Sequence, residues 1–266
     1  MLLFLHAMAD SNPPADVAPG GGSGAEETRS KKWLPLESNP EVMNDFVRKV
    51  GFPSTAGFHD VFGLDSDLLA MVPQPVLALL FLFLLPPEER AKEPEQHDQG
   101  GTPYQATPSP EAAAQPFFVR QTIDNACGTI ALLHAIGNNQ HRLTLEQGSF
   151  LQQFFEKTKD MTPEDRAAYL EADTLLEKAH TDAAEAGDTR PPSIYECVDL
   201  HFVAFVTSGG RLYELDGRKP KPIDHGPSSP DSLLQDAARV MQKVIAASPN
   251  SLQFNVIAMS LVPPDS

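Results

Sequence analysis

"QTIDNACGTIALLHAIGNN", residues 121–139, sets one of only two cysteines at the head of an almost unbroken apolar run. The run predicts a helix over 126–137, apolar on every side and therefore buried. With Asn125 read as its N-cap, Cys127 falls at the second position of that helix. There the unpaired backbone N–H groups and the positive end of the dipole favour thiolate over thiol. The competing reading is a small buried hydrophobe, the commoner role of a free cysteine. A base within reach of the sulfur has to decide between them.

His134 shares the helix, but seven residues at 1.5 Å each set it roughly 10 Å from Cys127 along the axis. It reads instead as a satisfied interior or boundary histidine. His6, His97, His141 and His180 fall in tails, loops or helix ends with no polar constellation, and His59 and His225 are ambiguous. His201 differs, because it heads the strand "HFVAFV" with Val203 and Phe205 on its own face. "TSGG" then marks a hairpin into "RLYEL". If Ser208 and Gly209 form the turn, His201 lies opposite Asp216. If Gly209 and Gly210 form it, Asp216 faces Val203 and is diagonal to His201. Both registers put Asp216 on the histidine's face. A cysteine, a histidine and an orienting carboxylate make up the nucleophile, base and orienter of acyl transfer. Gln121, on an extended lead-in six residues before Cys127, can offer its amide beside the Cys127 N–H as an oxyanion donor.

Around this centre the chain has 266 residues, 41% of them hydrophobic, with 25 prolines and 17 glycines. That is enough for one core with unstructured additions. Its formal charge of -16, from 36 acidic and 20 basic side chains, argues against a nucleic-acid partner. Two cysteines are too few for a disulfide framework and fit a reducing compartment, the cytoplasm. "MLLFLHAMA" has too short an apolar run, and no preceding basic residue, for a secretory signal. "VLALLFLFLL", from Val76, is too short for a bilayer and reads as a central strand buried on both faces. No membrane association is expected. No histidine stands at a zinc-ligand spacing with cysteine or glutamate, so no metal or cofactor is expected either.

Residues 1–32 read as a disordered extension and 33–262 as one domain, interrupted by a disordered Pro-rich insert over 86–116. Asn39 and Pro40 open a short helix ending before Gly51. A strand is expected near 58–62, a helix near 66–71, helices over 145–157 and 163–178 with Thr162 capping the second, a helix over 231–245 and a last strand over 252–261. The polar, proline-broken stretch 179–197 reads as one long loop, of the kind that serves as a lid or binding element.

The motifs "WLPLESNPEV", "LLAMVPQPV", "QTIDNACGTIALLHAI", "VDLHFVAFV" and "LYELDGRKP" resemble the ubiquitin carboxyl-terminal hydrolases, papain-like cysteine peptidases, and most of all their small single-domain members. The resemblance implies an α/β fold with helices around a central antiparallel sheet, a knotted chain path and a crossover loop over the active site at 179–197. By motif position it makes Cys127 the nucleophile, His201 the base and then acid, Asp216 the orienter and Gln121 the oxyanion donor. It implies a monomeric hydrolase that removes small adducts or short peptides from the terminal glycine of ubiquitin, or of a close ubiquitin-like protein, through a thioester. The alternative is a module that binds and stabilises free ubiquitin without catalysis. Pro35, Leu36, Glu37, Asp60, Glu185, Asp188, Leu252 and Phe254 are the candidate ubiquitin contacts. Eight acidic residues against Lys178 and Arg190 between Glu171 and Asp199 would attract the basic tail of that substrate. Cys197 has no helix start to activate it and reads as incidental.

Overall fold

The computed structural model describes residues 31–86, 115–194, 196, 198–247 and 253–262. The proposed N-terminal extension up to residue 30, the insert over 87–114, and Leu252 and Cys197 lie outside the described residues.

The apolar run after Pro75 is strand β2 (Val76–Leu84), and it sits inside a six-stranded sheet. The other strands are β1 (Ala56–Asp60), β3 (Leu200–Ser208), β4 (Arg211–Leu215), β5 (Ile223–Pro227) and β6 (Phe254–Leu261). Their order is β1-β6-β2-β3-β4-β5, and every neighbouring pair is antiparallel. Antiparallel sheets commonly leave one face to water. This one is covered on both, which is why its central strands read as continuous apolar runs.

Side-chain alternation sorts the strands into two cores. Leu77 and Leu80 of β2, Phe202, Ala204 and Val206 of β3, and Ile257 and Met259 of β6 face one layer. That layer contains α1 (Pro40–Lys49), α3 (Cys127–Gly137), α4 (Phe150–Thr158), α5 (Pro163–Glu171) and α6 (Thr174–Glu185). Leu79, Phe81, Val203, Phe205, Val256 and Ala258 face the other, where α2 (Ser66–Leu69) and α7 (Leu233–Ala247) lie. Each fully buried Leu, Ile or Phe contributes about 1.5–3 kcal/mol over its exposed state, so the sheet is held from both sides.

Several expected boundaries move. The helix expected over 163–178 is two helices: α5 ends at the Ala172 cap, and the Asp173 carboxylate accepts from the Leu176 N–H at 2.9 Å to start α6. α6 runs to Glu185, so the first seven residues of the stretch expected to be loop are helical, and the loop begins at Ala186. α4 starts at Phe150 rather than 145, because Ser149 caps it. Strand β5 was not foreseen; its Ile-Asp-His-Gly-Pro lacks the β-rich pattern, and it forms by pairing with β4. The lead-in 115–120 belongs to no strand. Its backbone is held instead by the Asn138 amide at Phe117, by His134 at Val119 and by the Gly217 carbonyl at Gln121.

Candidate active site

α3 begins at Cys127 itself, one residue later than expected, so Cys127 is its first residue rather than its second. Asn125 does not cap it. Its φ of 61° is left-handed, a region asparagine tolerates, and its amide donates to the Trp33 carbonyl at 3.1 Å. The flanking Ala126 offers no side-chain cap, so side chains leave the first-turn N–H groups of α3 beside Cys127 uncapped. The thiol is half-buried.

β3 carries His201, only 3% exposed, up to this helix end. Ser208 pairs with Arg211, so Gly209 and Gly210 form the hairpin turn, both with positive φ. Of the two registers open from sequence, the structure adopts the one that sets Asp216 diagonal to His201. The carboxylate closes that diagonal: Asp216 Oδ1 accepts from His201 Nε2 at 2.7 Å, and also from the Arg218 N–H at 2.9 Å. With Nε2 so engaged, Nδ1 is the ring nitrogen left free of Asp216, and the imidazole and the Cys127 thiol each shift the other's protonation. Cys127, His201 and Asp216 are thus brought together around the imidazole.

Their charges sustain one another. Burial alone would lower the His201 pKa, but the Asp216 charge and hydrogen bond, with the Cys127 sulfur behind them, raise it to about 10. Burial would also raise the Cys127 thiol, yet the hydrogen bond and charge of His201, then the backbone at Phe202 and Gly128, bring it below the ordinary thiol range. Asp216, whose burial acts the other way, is held well below the usual carboxylate range by the His201 charge and hydrogen bond and by the Arg218 N–H. The three shifts together favour the thiolate and the imidazolium over their neutral forms, with the Asp216 carboxylate behind them. No metal-binding group of His, Cys, Asp or Glu occurs among the described residues.

Gln121 is buried beneath the end of β4: its N–H donates to the Gly217 carbonyl at 2.8 Å and its side-chain amide to Ile123 O at 3.2 Å. Gly217 has to be glycine here, since a Cβ would lie 2.8 Å from Ile130 Cγ2 and 2.9 Å from Gln121 Cβ.

The family model described as ubiquitin carboxyl-terminal hydrolase, family 1, matches residues 33–246, the whole stretch that builds this site. The chain belongs to that family. The hydrolase is 49% identical over 237 residues to ubiquitin carboxyl-terminal hydrolase 3 of Arabidopsis thaliana, covering 89% of this chain and 97% of the relative. It is 39% identical over 225 residues to ubiquitin carboxyl-terminal hydrolase isozyme L1 of Rattus norvegicus, covering 85% and 96%. Among solved structures, the catalytic domain of Trichinella spiralis UCH37 bound to ubiquitin vinyl methyl ester matches with a TM-score of 0.66. It is 22% identical, over 87% of this chain and 96% of that one, a likeness that establishes the fold. Family and relatives together make the chain a thiol-dependent ubiquitin carboxyl-terminal hydrolase, a deubiquitinase.

The hydrolase also uses residues that sequence reasoning passed over. His180 sits not in a loop but in α6 with no exposed surface, where Nδ1 meets Thr129 Oγ1 at 2.8 Å and Nε2 meets Leu34 O at 2.6 Å. It ties the N-terminal strap to the helix that carries Cys127. Phe83, opposite His201 across β2 and β3, packs edge-on against the imidazole with centroids 6.2 Å apart. Burial signals of this kind arise only after the strands pair. His134 is interior as expected, its Nε2 shared with the Val119 backbone.

The candidate substrate contacts fall at separate places on the fold. Pro35 is half-buried, Leu36 is 7% exposed and packed against Gly128, and Glu37 meets Thr189. Asp60 is exposed at the end of β1, Glu185 and Asp188 are exposed around the end of α6, and Phe254 is 39% exposed at the start of β6. Among the described residues, no helix is long and apolar enough to cross a membrane.

Proposed function

We propose that Cys127 is the nucleophile, His201 the base and acid, Asp216 the orienter and Gln121 an oxyanion donor in hydrolysis of the bond after the terminal glycine of ubiquitin. The observation that carries this reading is the 2.7 Å hydrogen bond from His201 to Asp216, on a ring close enough to the Cys127 thiol for the two to shift one another's protonation. The thiolate attacks the glycine carbonyl carbon. Its π electrons move to oxygen, where the Cys127 N–H and one Gln121 amide proton receive them. A glutamine amide has two protons, and Ile123 O takes only one. As the tetrahedral centre collapses, the imidazolium gives its proton to the departing amine and a thioester remains. His201, now neutral, takes a proton from water as the water attacks, and keeps it as the C–S bond breaks and ubiquitin leaves, which restores the thiolate and the imidazolium.

Ubiquitin comes to this chain from its family name and from the UCH37 structure, which was captured with ubiquitin vinyl methyl ester. The exposed Asp60, Glu185 and Asp188 offer negative charge to a basic tail, and Phe254 an apolar contact; Pro35, Leu36, Glu37 and Leu252 complete the surface in this reading. The segment from Ala186 to β3 is the crossover of a knotted path. It restricts leaving groups to small adducts and short peptides, and a close ubiquitin-like protein is a second substrate. The enzyme acts as a monomer of the cytoplasm, where a free thiol at 127 stays reduced. It requires no cofactor.

Cys127→Ala tests the assignment. Turnover of a fluorogenic ubiquitin C-terminal amide should fall by about 10^3 or more while ubiquitin affinity is retained, and ubiquitin vinyl methyl ester should no longer label the chain. Full turnover by that variant would overturn the assignment. Retained ubiquitin binding in an unaltered chain that neither turns over nor labels would leave only a binding module.

A further inference from the structure

We propose that Glu37 is a positioning residue that pins the root of the loop leaving α6, and so fixes how far that loop stands from the site. The inference rests on the reading of this loop as the crossover. Its geometry involves three consecutive residues. Glu37 Oε2 accepts from both the N–H and the hydroxyl of Thr189, each at 3.2 Å. Gly187 lies so close beneath the carboxylate that a Cβ there would stand 2.1 Å from Oε2, 3.2 Å from Cδ and 3.3 Å from Cβ of Glu37. Between them, Asp188 Oδ2 accepts from the Asn39 amide at 3.3 Å, while Asn39 Oδ1 caps α1 through the Glu41 N–H at 2.9 Å.

The base that carries Glu37 does not move freely. Trp33 and Leu36 are 3% and 7% exposed, Asn125 holds the Trp33 carbonyl and His180 the Leu34 carbonyl. A carboxylate on a fixed strap, accepting two hydrogen bonds from one threonine, gives charge-assisted bonds stronger than a loop could make with itself. Downstream, Pro191 and Pro192 fix φ and stiffen the chain, so the direction set at Thr189 is carried into the following residues. Loosening the latch should therefore widen the passage for the leaving group without touching Cys127, His201 or Asp216.

The test compares the full chain with its Thr189→Val and Gly187→Ala variants. Thr189→Val deletes one of the two bonds, and Gly187→Ala forces the carboxylate out. Amide hydrogen exchange over residues 187–194 should accelerate about threefold or more in the first and about tenfold or more in the second. In a Glu37→Ala background, where the clash is gone, Gly187→Ala should add nothing. Against substrates, kcat/KM for ubiquitin bearing a folded leaving group should rise at least about fivefold relative to that for the small fluorogenic amide, a ratio in which any change in ubiquitin binding common to both cancels. Unchanged exchange in both variants, or a Gly187→Ala effect that persists without Glu37, would overturn the latch. Faster exchange with an unmoved substrate ratio would overturn its role in leaving-group choice. The exchange arm uses no ubiquitin, so failure of the hydrolase reading would show separately, as absent turnover by the unaltered chain.

Discussion

Replacing Asp216 by Asn keeps the shape of the His201 partner and removes its charge, which isolates the electrostatics of the ion pair. The imidazole stands at about 10 against an ordinary 6.5. At about 1.4 kcal/mol per unit, the charged form is stabilised by roughly 5 kcal/mol. Coulomb's law gives the same order: unit charges at the observed 2.7 Å in an effective dielectric of about 20 attract by about 6 kcal/mol. The raised pKa adds stability that is full below pH 6.5 and is lost as pH rises through 10. With the charge removed, burial is opposed only by the Cys127 sulfur, and the imidazole should fall to its ordinary 6.5 or below. At pH 8 its protonated fraction would then drop from near one to below about 0.03. The Cys127 thiol, deprived of the imidazolium, should rise toward the ordinary range. The assay is the pH dependence of Cys127 alkylation by iodoacetamide, read on the Cys127 peptide by mass spectrometry. The unaltered chain should alkylate on a limb below the ordinary thiol range. Asp216→Asn should shift that limb upward by at least one pH unit and slow alkylation at pH 7 by about tenfold or more. Coincident profiles would refute the claim that Asp216 sustains the pair.

Two further outcomes follow from groups away from the sulfur. His134 and His180 are buried without exposure, and burial brings both to about 4. Both are neutral in the fold and gain protons on unfolding between pH 6.5 and 4, so acidification across that window should cost about 3 kcal/mol for each. The urea midpoint should fall steeply from pH 6.5 to 4, and a flat profile would sink the argument. Gly217→Ala should destabilise the fold by about 1–3 kcal/mol, because its Cβ meets Ile130 and Gln121 at contact-breaking distances. It should also lower kcat more than it changes KM, through displaced Gln121; an unchanged thermal midpoint would show that the turn absorbs the methyl group.

The residues proposed to carry the chemistry could be singled out before the fold because each has a local signature. Cys127 opens an apolar helix, His201 heads a strand, and a glycine turn returns Asp216 to the same face whichever of two registers holds. A short unbroken apolar run, a glycine turn between β-rich segments and a cap such as Asn39 depend on neighbours a few residues away, so β2, the β3–β4 hairpin and α1 also follow from sequence. Tertiary structure decided what depends on distant partners. It chose the register that joins Asp216 to His201, and turned Asn125 from a cap into a tie to Trp33. It also buried His180 between Thr129 and Leu34 and made a strand of Ile223–Pro227, which has no pattern of its own. The division has a physical basis: backbone preference and amphipathic period act within a few residues. A hydrogen bond from a buried imidazole, or a carboxylate gripping a loop some 150 residues away, exists only once packing has excluded the water that would otherwise satisfy it.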